Sequence, residues 1–386
     1  MKNYDAIVIG GGLTGSALGY ELAKQKLKVL LIEKDRNLVN ATKFSYGGIA
    51  YWCGTDEFIS KISHEAIEIH RHLSEELEHD TEFKELDLLF TIDRTQNIEE
   101  VEKAYQAFHI KPELLDVQQT VEIEPLINPE AIAGSLRFPQ GHVNPLQTIL
   151  AYQKAFLRLG GEIAEEEVTE FITQQDQVTG VVTPQNRYTA QETIVSAGAY
   201  SRQLLQKLEI TLPIYFSHAQ LIKTKPSDIK LSTIVMPATT KRLDTEKQVA
   251  QMDKDCLWEN PTDEVYGDVL EAGGVQFADG SFCLGQISQI ITNINATIDR
   301  QMSEQRIRET VSKVLPDIGN LEGQWYNCQI AFTSGMPFQV GAVSPWQGLS
   351  LFSGFTSPFV FVPPLAKRMT KSILQGDREL VLGLSN

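Results

Sequence analysis

Three glycines and one acidic residue near the start of the chain form its most specific chemical pattern. Gly10, Gly12 and Gly15 directly follow an apolar run. Their spacing, G-x-G-x-x-G, allows a tight turn and brings a pyrophosphate close to the backbone at a helix N-terminus. Glu33 ends a second apolar run, where a carboxylate accepts hydrogen bonds from ribose hydroxyls. The pattern predicts a dinucleotide site, whereas the glycines alone would also fit a plain turn.

The elements that position this pattern are predicted by the hydrophobic periodicity. Residues 6–9 and 29–32 are continuous apolar runs, typical of strands buried in a parallel sheet, and residues 16–26 between them fit a helix. A further buried strand at residues 194–195 leads into a turn of small residues, 196–201, which can lie against the first turn. These elements predict a Rossmann-like nucleotide-binding fold.

The rest of the chain predicts a second domain. Residues 57–80, 96–118, 146–159 and 299–314 fit helices with solvated charged faces. Residues 210–330 otherwise alternate strand-like runs with turns, which is typical of a mixed or antiparallel sheet. Histidines in the first of these helices lack metal-ligand spacing, so no metal site is expected.

Composition excludes several classes of protein. The 386 residues carry 34 basic and 50 acidic side chains, a formal net charge of −16, which disfavours a nucleic-acid partner. No apolar run is long enough to predict a membrane span, and glycines and acidic residues interrupt the N-terminal apolar stretch that would otherwise resemble a signal peptide. Cys53, Cys256, Cys283 and Cys328 form no C-x-x-C pair. We therefore expect a cytoplasmic protein with reduced thiols.

Six segments, taken in order and spacing, resemble the D-amino-acid oxidase superfamily of FAD-dependent oxidoreductases, in particular its glycine oxidase and monomeric sarcosine oxidase branch. They are residues 10–15 with Glu33, 45–49, 141–145, 195–201, 279–285 and 354–357. The resemblance covers residues 5–374 and implies an α/β fold with a discontinuous Rossmann-like FAD-binding domain and an interleaved substrate domain on a mixed or antiparallel sheet. The expected ranges are 1–85, 141–210 and 325–386 for the FAD-binding domain, and 86–140 and 211–324 for the substrate-binding domain.

The resemblance also implies the site residues. Those expected to bind FAD are Gly10, Gly12, Leu13, Thr14, Gly15, Glu33, Lys34, Thr42, Lys43, Ser45, Gly47, Gly48, Val168, Ala197, Gly198, Gly354, Phe355, Thr356 and Ser357. Those expected at the reaction site are Lys43, Tyr51, Cys328 and Phe355. The implied reaction moves a hydride equivalent to the flavin from a carbon that bears an amine or a hydroxyl.

Ile330 and Pro358 depart from the family pattern, and Cys328 matches a spacing found in one branch of it. Ile330 stands where these amino-acid oxidases usually carry an arginine that clamps the substrate carboxylate. Lys43, Lys241 and Arg242 are candidate replacements. Cys328 has the spacing of a flavin-linking cysteine, so a thioether to FAD is one hypothesis and a small buried residue is the other. Pro358 lacks an N–H group that relatives can offer to the flavin.

Three functions remain open from the sequence. The first is oxidation of the C–N bond of a small amine or N-substituted amino acid, with oxygen or an unknown electron acceptor. The second is dehydrogenation of a 2-hydroxy acid or polyol, although the histidine-containing segment of the 2-hydroxyglutarate branch is not reproduced around Lys43. The third is a flavin-binding protein or subunit without turnover of its own. The sequence does not decide the oligomeric state.

Overall fold

The computed structural model describes residues 2–252 and 254–376, without the side chains of residues 254–256. Cys256 therefore lies outside the described side chains. The strands are β1 (Lys2–Ile9), β2 (Val29–Glu33), β3 (Gly48–Ile49), β4 (Lys84–Asp93), β5 (Glu113–Leu115), β6 (Ile132–His142), β7 (Glu162–Glu165), β8 (Glu170–Gln174), β9 (Gln177–Val182), β10 (Arg187–Val195), β11 (Ile214–Thr224), β12 (Ile234–Pro237), β13 (Val265–Gln276), β14 (Phe282–Ile291), β15 (Gly323–Thr333), β16 (Gln339–Ala342) and β17 (Leu349–Ser353).

The α-helices lie between these strands and on their faces. They are α1 (Leu13–Lys24), α2 (Ala41–Phe44), α3 (Glu57–Glu76), α4 (Ile98–Tyr105), α5 (Val117–Ile123), α6 (Pro145–Arg158), α7 (Ser201–Leu205), α8 (Lys241–Gln251), α9 (Lys254–Glu259), α10 (Arg300–Val314), α11 (Pro316–Gly319) and α12 (Pro358–Gln375). Among the described residues, no helix is both long and apolar enough to cross a membrane.

The first sheet forms the nucleotide-binding half of the fold. Its strands run in the order β16-β17-β10-β1-β2-β7, with β8 and β9 joined through β10. The central pairs are parallel: β1 lies between β2 and β10, and β10 also pairs with β17. Helices α1, α6 and α12 pack together on one face of this sheet, where Ala17, Phe156 and Leu365 are buried in one core cluster. Parallel strands covered on both faces explain the continuous apolar runs in the sequence.

The second sheet is larger and mostly antiparallel. Its strands run β15-β11-β14-β13-β12-β4-β6-β3, with β5 added beside β6. One pair, β4 with β12, is parallel, so the sheet is mixed. The predicted α/β fold class with a mixed sheet is thereby confirmed. Both β3 and β15 belong to this sheet, although β3 and most of β15 lie in segments that the sequence analysis assigned to the FAD-binding domain. The predicted domain limits stay a prediction.

One predicted helix is wrong in its extent. Residues 96–118 do not form a single helix: α4 ends at Tyr105, β5 pairs with β6, and α5 starts only at Val117. Pro112 supplies the physical reason, because the residue before a proline is driven out of the helical region. The charge pattern of the segment carries no information about this break.

The aromatic packing under the second sheet should carry much of its stability. Phe138 is fully buried and stacks on Trp52, with 4.2 Å between ring centroids. We expect Phe138→Ala to lower the free energy of unfolding by about 3–5 kcal/mol through lost burial and a residual cavity. Leu114→Ala, at a side chain that is 40% exposed on β5, is the control and should change it by less than about 1 kcal/mol. Urea denaturation measures both, and equal losses would contradict the assignment of the core.

Candidate functional site

A cavity of about 790 Å³ opens between the first sheet and the free edge of β15. Of the residues predicted to bind FAD, those that line it are Gly10, Gly12, Thr14, Glu33, Lys34, Thr42, Val168, Ala197 and Gly198. Cys328 lines it as well, together with its neighbours on β15, Asn327 and Gln329. The chain segments that the sequence marked separately therefore meet around one space, of a size typical of ligand cavities.

The turn between β1 and α1 requires glycine at its two ends. Gly10 has φ of +108°, a conformation that L side chains rarely adopt. A Cβ atom on Gly15 would lie 1.8 Å from the carbonyl oxygen of Gly10, so the helix can approach the strand only because that atom is missing. These two glycines shape the turn itself.

Gly12 has a different role from its two partners. A Cβ atom there would meet only Thr42 Oγ1 at 3.5 Å and Asn40 Nδ2 at 3.9 Å, which are ordinary contacts. Thr42 Oγ1 also accepts a hydrogen bond from the backbone N–H of Leu13 (3.3 Å). Asn40 caps α2 by accepting from the N–H of Lys43 (3.1 Å), which holds Thr42 over the start of α1. The absence of a side chain at Gly12 therefore leaves space in the cavity and is not required by the packing of the protein interior.

Glu33 is fixed at the end of β2 by two backbone hydrogen bonds. Its Oε2 accepts from the N–H of Gly11 (2.5 Å) and its Oε1 accepts from the N–H of Asp35 (2.9 Å). A carboxylate oxygen has more than one lone pair, so both oxygens can still accept from ribose hydroxyls in the cavity. The sequence did not indicate Gly11, whose Cβ atom would lie 2.8 Å from the Cβ of Glu33.

Ser196 belongs to the small-residue turn of the sequence pattern but is not among the predicted binding residues, and the structure places it in the cavity wall. Its side-chain oxygen is buried and has no hydrogen-bond partner in the structure, while its carbonyl accepts from Thr14 Oγ1 (3.2 Å). A buried hydroxyl without a partner costs free energy unless a ligand completes it. Together with the open backbone at Gly12, this orphaned hydroxyl fits a bound nucleotide diphosphate.

A cation and an aromatic ring lie against each other in the cavity wall. Lys34 Nζ lies 3.7 Å from the centroid of the Tyr200 ring, and both residues line the cavity. Val168, which is 8% exposed, lies in the same wall. Tyr200 is part of the small-residue segment but is not among the residues predicted to bind the cofactor. The end of β2 and the turn after β10 thus meet across the adenosine side of the expected cofactor.

The segment after α2 joins the first half of the fold to the second sheet. Ser45 Oγ accepts from the N–H of Gly47 (3.1 Å). Gly47 has φ of +76°, and a Cβ atom on it would lie only 2.1 Å from the carbonyl oxygen of Val143. Tyr46 donates its phenol hydrogen to the carbonyl of Gly285 on β14. Because Gly48 then pairs with the end of β6, this segment holds the edge where the flavin ring is expected.

Cys328 and Ile330 point to the inner face of the second sheet. In the β11–β15 ladder Cys328 lies opposite Ala219, and Ile330 lies opposite Ser217. Both pack against a core cluster that includes Phe44 and Cys283. Burial raises the pKa of the Cys328 thiol to about 12. Its sulfur is therefore a neutral thiol at pH 7, and Ile330 presents an apolar surface where the sequence analysis predicts the position of the family arginine.

Several predicted residues lie away from the cavity wall. Phe355 is 5% exposed and packs against Phe352 and Phe338, with ring centroids 4.9 and 5.9 Å away. The remaining three residues of its segment belong to local structure. Gly354 has φ of +75°, and Thr356 donates from its N–H to Pro337 O (3.0 Å). Ser357 stands at the N-cap position of α12, where its carbonyl accepts from the N–H groups of Val360 and Phe361 and its side chain forms no capping hydrogen bond. Tyr51 is half-buried against the core of the first half. Their predicted roles toward the flavin stay predictions.

The three cations named as replacements for the arginine have other surroundings. Lys43 Nζ donates to the carbonyl of Asn37 (2.9 Å), and Lys241 is exposed. Arg242 is bound by Glu271 (3.0 Å) and Glu246 (3.3 Å), which satisfy its guanidinium. In the described part of the chain, no group of three or more His, Cys, Asp or Glu side chains is arranged to hold a metal ion.

The different surroundings of Gly12 and Gly15 separate binding from folding. We expect Gly12→Val to fold and to bind FAD about 100-fold more weakly or worse, because its side chain enters the cavity. Gly15→Val should instead destabilise the fold, because its side chain meets the carbonyl of Gly10. The measurements are the ratio of flavin absorbance to protein and thermal melting by circular dichroism. A Gly12→Val protein that retains a full complement of FAD would contradict the assigned site.

Comparison with known proteins gives a family and a structural neighbour for this chain. Residues 5–372 match the DAO family, described as FAD dependent oxidoreductase. In structure the chain is similar to glycine oxidase from Geobacillus kaustophilus, with a TM-score of 0.77, 18% identity, and coverage of 97% of this chain and 95% of that one. At this identity the likeness concerns the fold.

Two relatives match this chain in sequence over part of their own length. The chain is 21% identical to 4-methylaminobutanoate oxidase (formaldehyde-forming) of Paenarthrobacter nicotinovorans over 96% of this chain and 43% of that protein. It is 27% identical to peroxisomal sarcosine oxidase of Homo sapiens over 55% of this chain and 54% of that protein. The chain thus spans about half the length of these relatives. The match over residues 5–372 shows that it belongs to the DAO family of FAD-dependent oxidoreductases.

Proposed function

We propose that the protein oxidises the C–N bond of a small amine or N-substituted amino acid with FAD as the cofactor. The observation that carries the proposal is the continuity of the cavity from the glycine turn to β15, where the cofactor would meet the inner face of the second sheet. Relatives named for the oxidation of sarcosine, glycine and 4-methylaminobutanoate support the substrate class. Because the chain covers only part of their length, the activity of the whole protein is part of the proposal.

The chain's own residues would bind and orient the reactants. Bound FAD supplies the acceptor for the hydride equivalent. The turn at Gly12, the Thr42 hydroxyl and the carboxylate of Glu33 would hold its diphosphate and ribose, and Val168 would lie against its adenine. The apolar inner face of the second sheet, against which Tyr46 packs, would exclude water and position the substrate C–H bond.

The two sheets would have different functions in this reaction. The first sheet with α1, α6 and α12 would carry the cofactor, and the second sheet would carry the substrate. The limits predicted from the sequence, 1–85, 141–210 and 325–386 against 86–140 and 211–324, stay a prediction, and they assign β3 and most of β15 to the FAD-binding domain although both strands lie in the second sheet. Those two strands would serve both halves, because each lies in the second sheet and borders the expected flavin position.

An anaerobic substrate panel tests the reaction class. The FAD-loaded protein is mixed with amines, N-methylated amino acids, α-amino acids and 2-hydroxy acids, and bleaching of the flavin band is followed. We expect amines or N-substituted amino acids to bleach the flavin and 2-hydroxy acids to leave it oxidised. Bleaching by hydroxy acids alone would replace the proposal with a hydroxy-acid dehydrogenase. No bleaching by any compound would favour a flavin-binding protein without turnover.

Acid precipitation tests how the flavin is held. The buried, neutral thiol of Cys328 is poorly suited to attack, since the thiolate is the reactive form. We therefore expect trichloroacetic acid to release essentially all of the yellow colour into the supernatant. Colour that stays with the pellet in the wild type and leaves it in Cys328→Ala would establish the covalent link instead.

A further inference from the structure

Asn327 places an unpaired hydrogen-bond acceptor in the wall of the nucleotide cavity. It lies on β15, which is an edge strand of the second sheet and pairs with β11. The side-chain oxygen Oδ1 of Asn327 is buried, and it has no hydrogen-bond partner in the part of the chain that the structure describes. Such an acceptor costs free energy unless a ligand supplies a donor. Sequence reasoning missed this residue, although it directly precedes Cys328.

A second amide on the same strand is bonded within the protein. Gln329 also lines the cavity, and its side chain projects to the same side of β15 as that of Asn327, because side chains alternate along a strand. Its Nε2 donates to the carbonyl of Ile294 (3.3 Å) and to Nδ1 of His218 (3.4 Å). The structure therefore uses the amide of Gln329 internally and leaves the oxygen of Asn327 for a ligand.

Ser196 carries a second unpaired polar atom in the cavity wall, and its requirement is the opposite one. Its hydroxyl can donate a hydrogen bond, whereas Oδ1 of Asn327 can only accept one. The ionised oxygens of a diphosphate accept hydrogen bonds and donate none, so they fit Ser196 and cannot satisfy Asn327. One ligand therefore satisfies both residues only if an O–H or N–H group lies next to its diphosphate.

Asn327 lies beside the part of the cavity that fits the diphosphate. Its neighbour Tyr326 stacks on Phe44 of α2, with ring centroids 4.5 Å apart, and the same helix carries Thr42 over the glycine turn. The turn of residues 198–200 also packs against β15. In FAD the chain that leads from the diphosphate away from the adenosine is the ribityl chain, whose hydroxyls can donate. It is the group of the cofactor that combines this position with this chemistry.

We propose that Asn327 positions the cofactor by accepting a hydrogen bond from a ribityl hydroxyl through its side-chain oxygen. Ser196 then donates to the adjacent diphosphate, so neighbouring groups of one molecule satisfy both unpaired atoms. ADP carries the diphosphate but no ribityl chain, and it leaves Asn327 unpaired. The residue therefore favours FAD over adenine nucleotides that share its other half. The inference concerns the cofactor of the family and does not rest on the proposed substrate class.

Calorimetric titration of the full chain, freed of flavin, with FAD and with ADP tests this assignment. Asn327→Leu keeps the size of the side chain and removes the acceptor, so we expect it to weaken FAD binding about 10-fold and to leave ADP binding unchanged. Ser196→Ala should weaken the binding of both ligands. Gln324→Leu is the matched control and should change neither affinity, because Gln324 is an exposed amide on β15 outside the cavity wall.

The thermal stability of the flavin-free protein separates a ligand contact from a structural role. Because Asn327→Leu removes a buried oxygen that has no partner, we expect the Tm of the flavin-free variant to equal or exceed that of the wild type. An amide that stabilises the fold would instead give a lower Tm together with weaker binding of both FAD and ADP. That result would overturn the proposal.

An FAD analogue whose ribityl hydroxyls are replaced by hydrogen atoms identifies the partner of Asn327. It should bind to the wild type more weakly than FAD does, and Asn327→Leu should bind it as tightly as the wild type does. Equal losses for FAD and the analogue in Asn327→Leu would assign the residue to the flavin ring and overturn the proposal, as would an unchanged affinity for FAD. These measurements involve no turnover, so their outcome is independent of the substrate panel that tests the proposed function.

Discussion

The close approach of α1 to β1 is the constraint on which the rest of the structure depends. Helix and strand can meet only because Gly15 has no Cβ atom to strike the carbonyl of Gly10. That contact directs the N-terminus of α1 at the cavity and leaves backbone N–H groups free there. The position of Glu33 follows from it, because its carboxylate is tied to the N–H of Gly11 within the same turn. An atom added at Gly15 would strike the carbonyl of Gly10 and force α1 away from β1.

The two sheets are coupled both through a short stretch of chain and through a shared core, since Ile214 of β11 and Ala331 of β15 are buried in the same core cluster as strands of the first sheet. Residues 41–48 contact the first turn through Thr42 and the second sheet through Phe44, which stacks on Tyr326 with ring centroids 4.5 Å apart. The β15 strand is in turn an edge strand of the second sheet and a wall of the nucleotide cavity. A ligand that spans the cavity is therefore in contact with both sheets at once.

Charge is distributed in a way that the net value of −16 conceals. The cavity that fits a diphosphate relies on backbone N–H groups and hydroxyls, so an acidic protein can hold a doubly anionic group there. Beside the second sheet the arrangement is different: the guanidinium of Arg242 forms ion pairs with the carboxylates of Glu271 and Glu246. The distribution of charge over these two buried sites bears more directly on ligand choice than the total does.

The sequence by itself determined the strands, the glycine turn and Glu33, because spacing along the chain fixes how neighbouring elements of a strand–turn–helix unit meet. It also identified the family, and it predicts that Ile330 replaces the arginine of its amino-acid oxidases. Only the tertiary structure decided that Ser196 and Tyr200 line the cavity and that Phe355 packs in a core. It also placed Lys223 and His142 near the same ring, that of Phe277. Except for the Phe352–Phe355 pair, these contacts join residues far apart in the chain, and for the strand residues among them they depend on the register of the paired strands and on which face each strand turns inward. Local periodicity carries no information about that register.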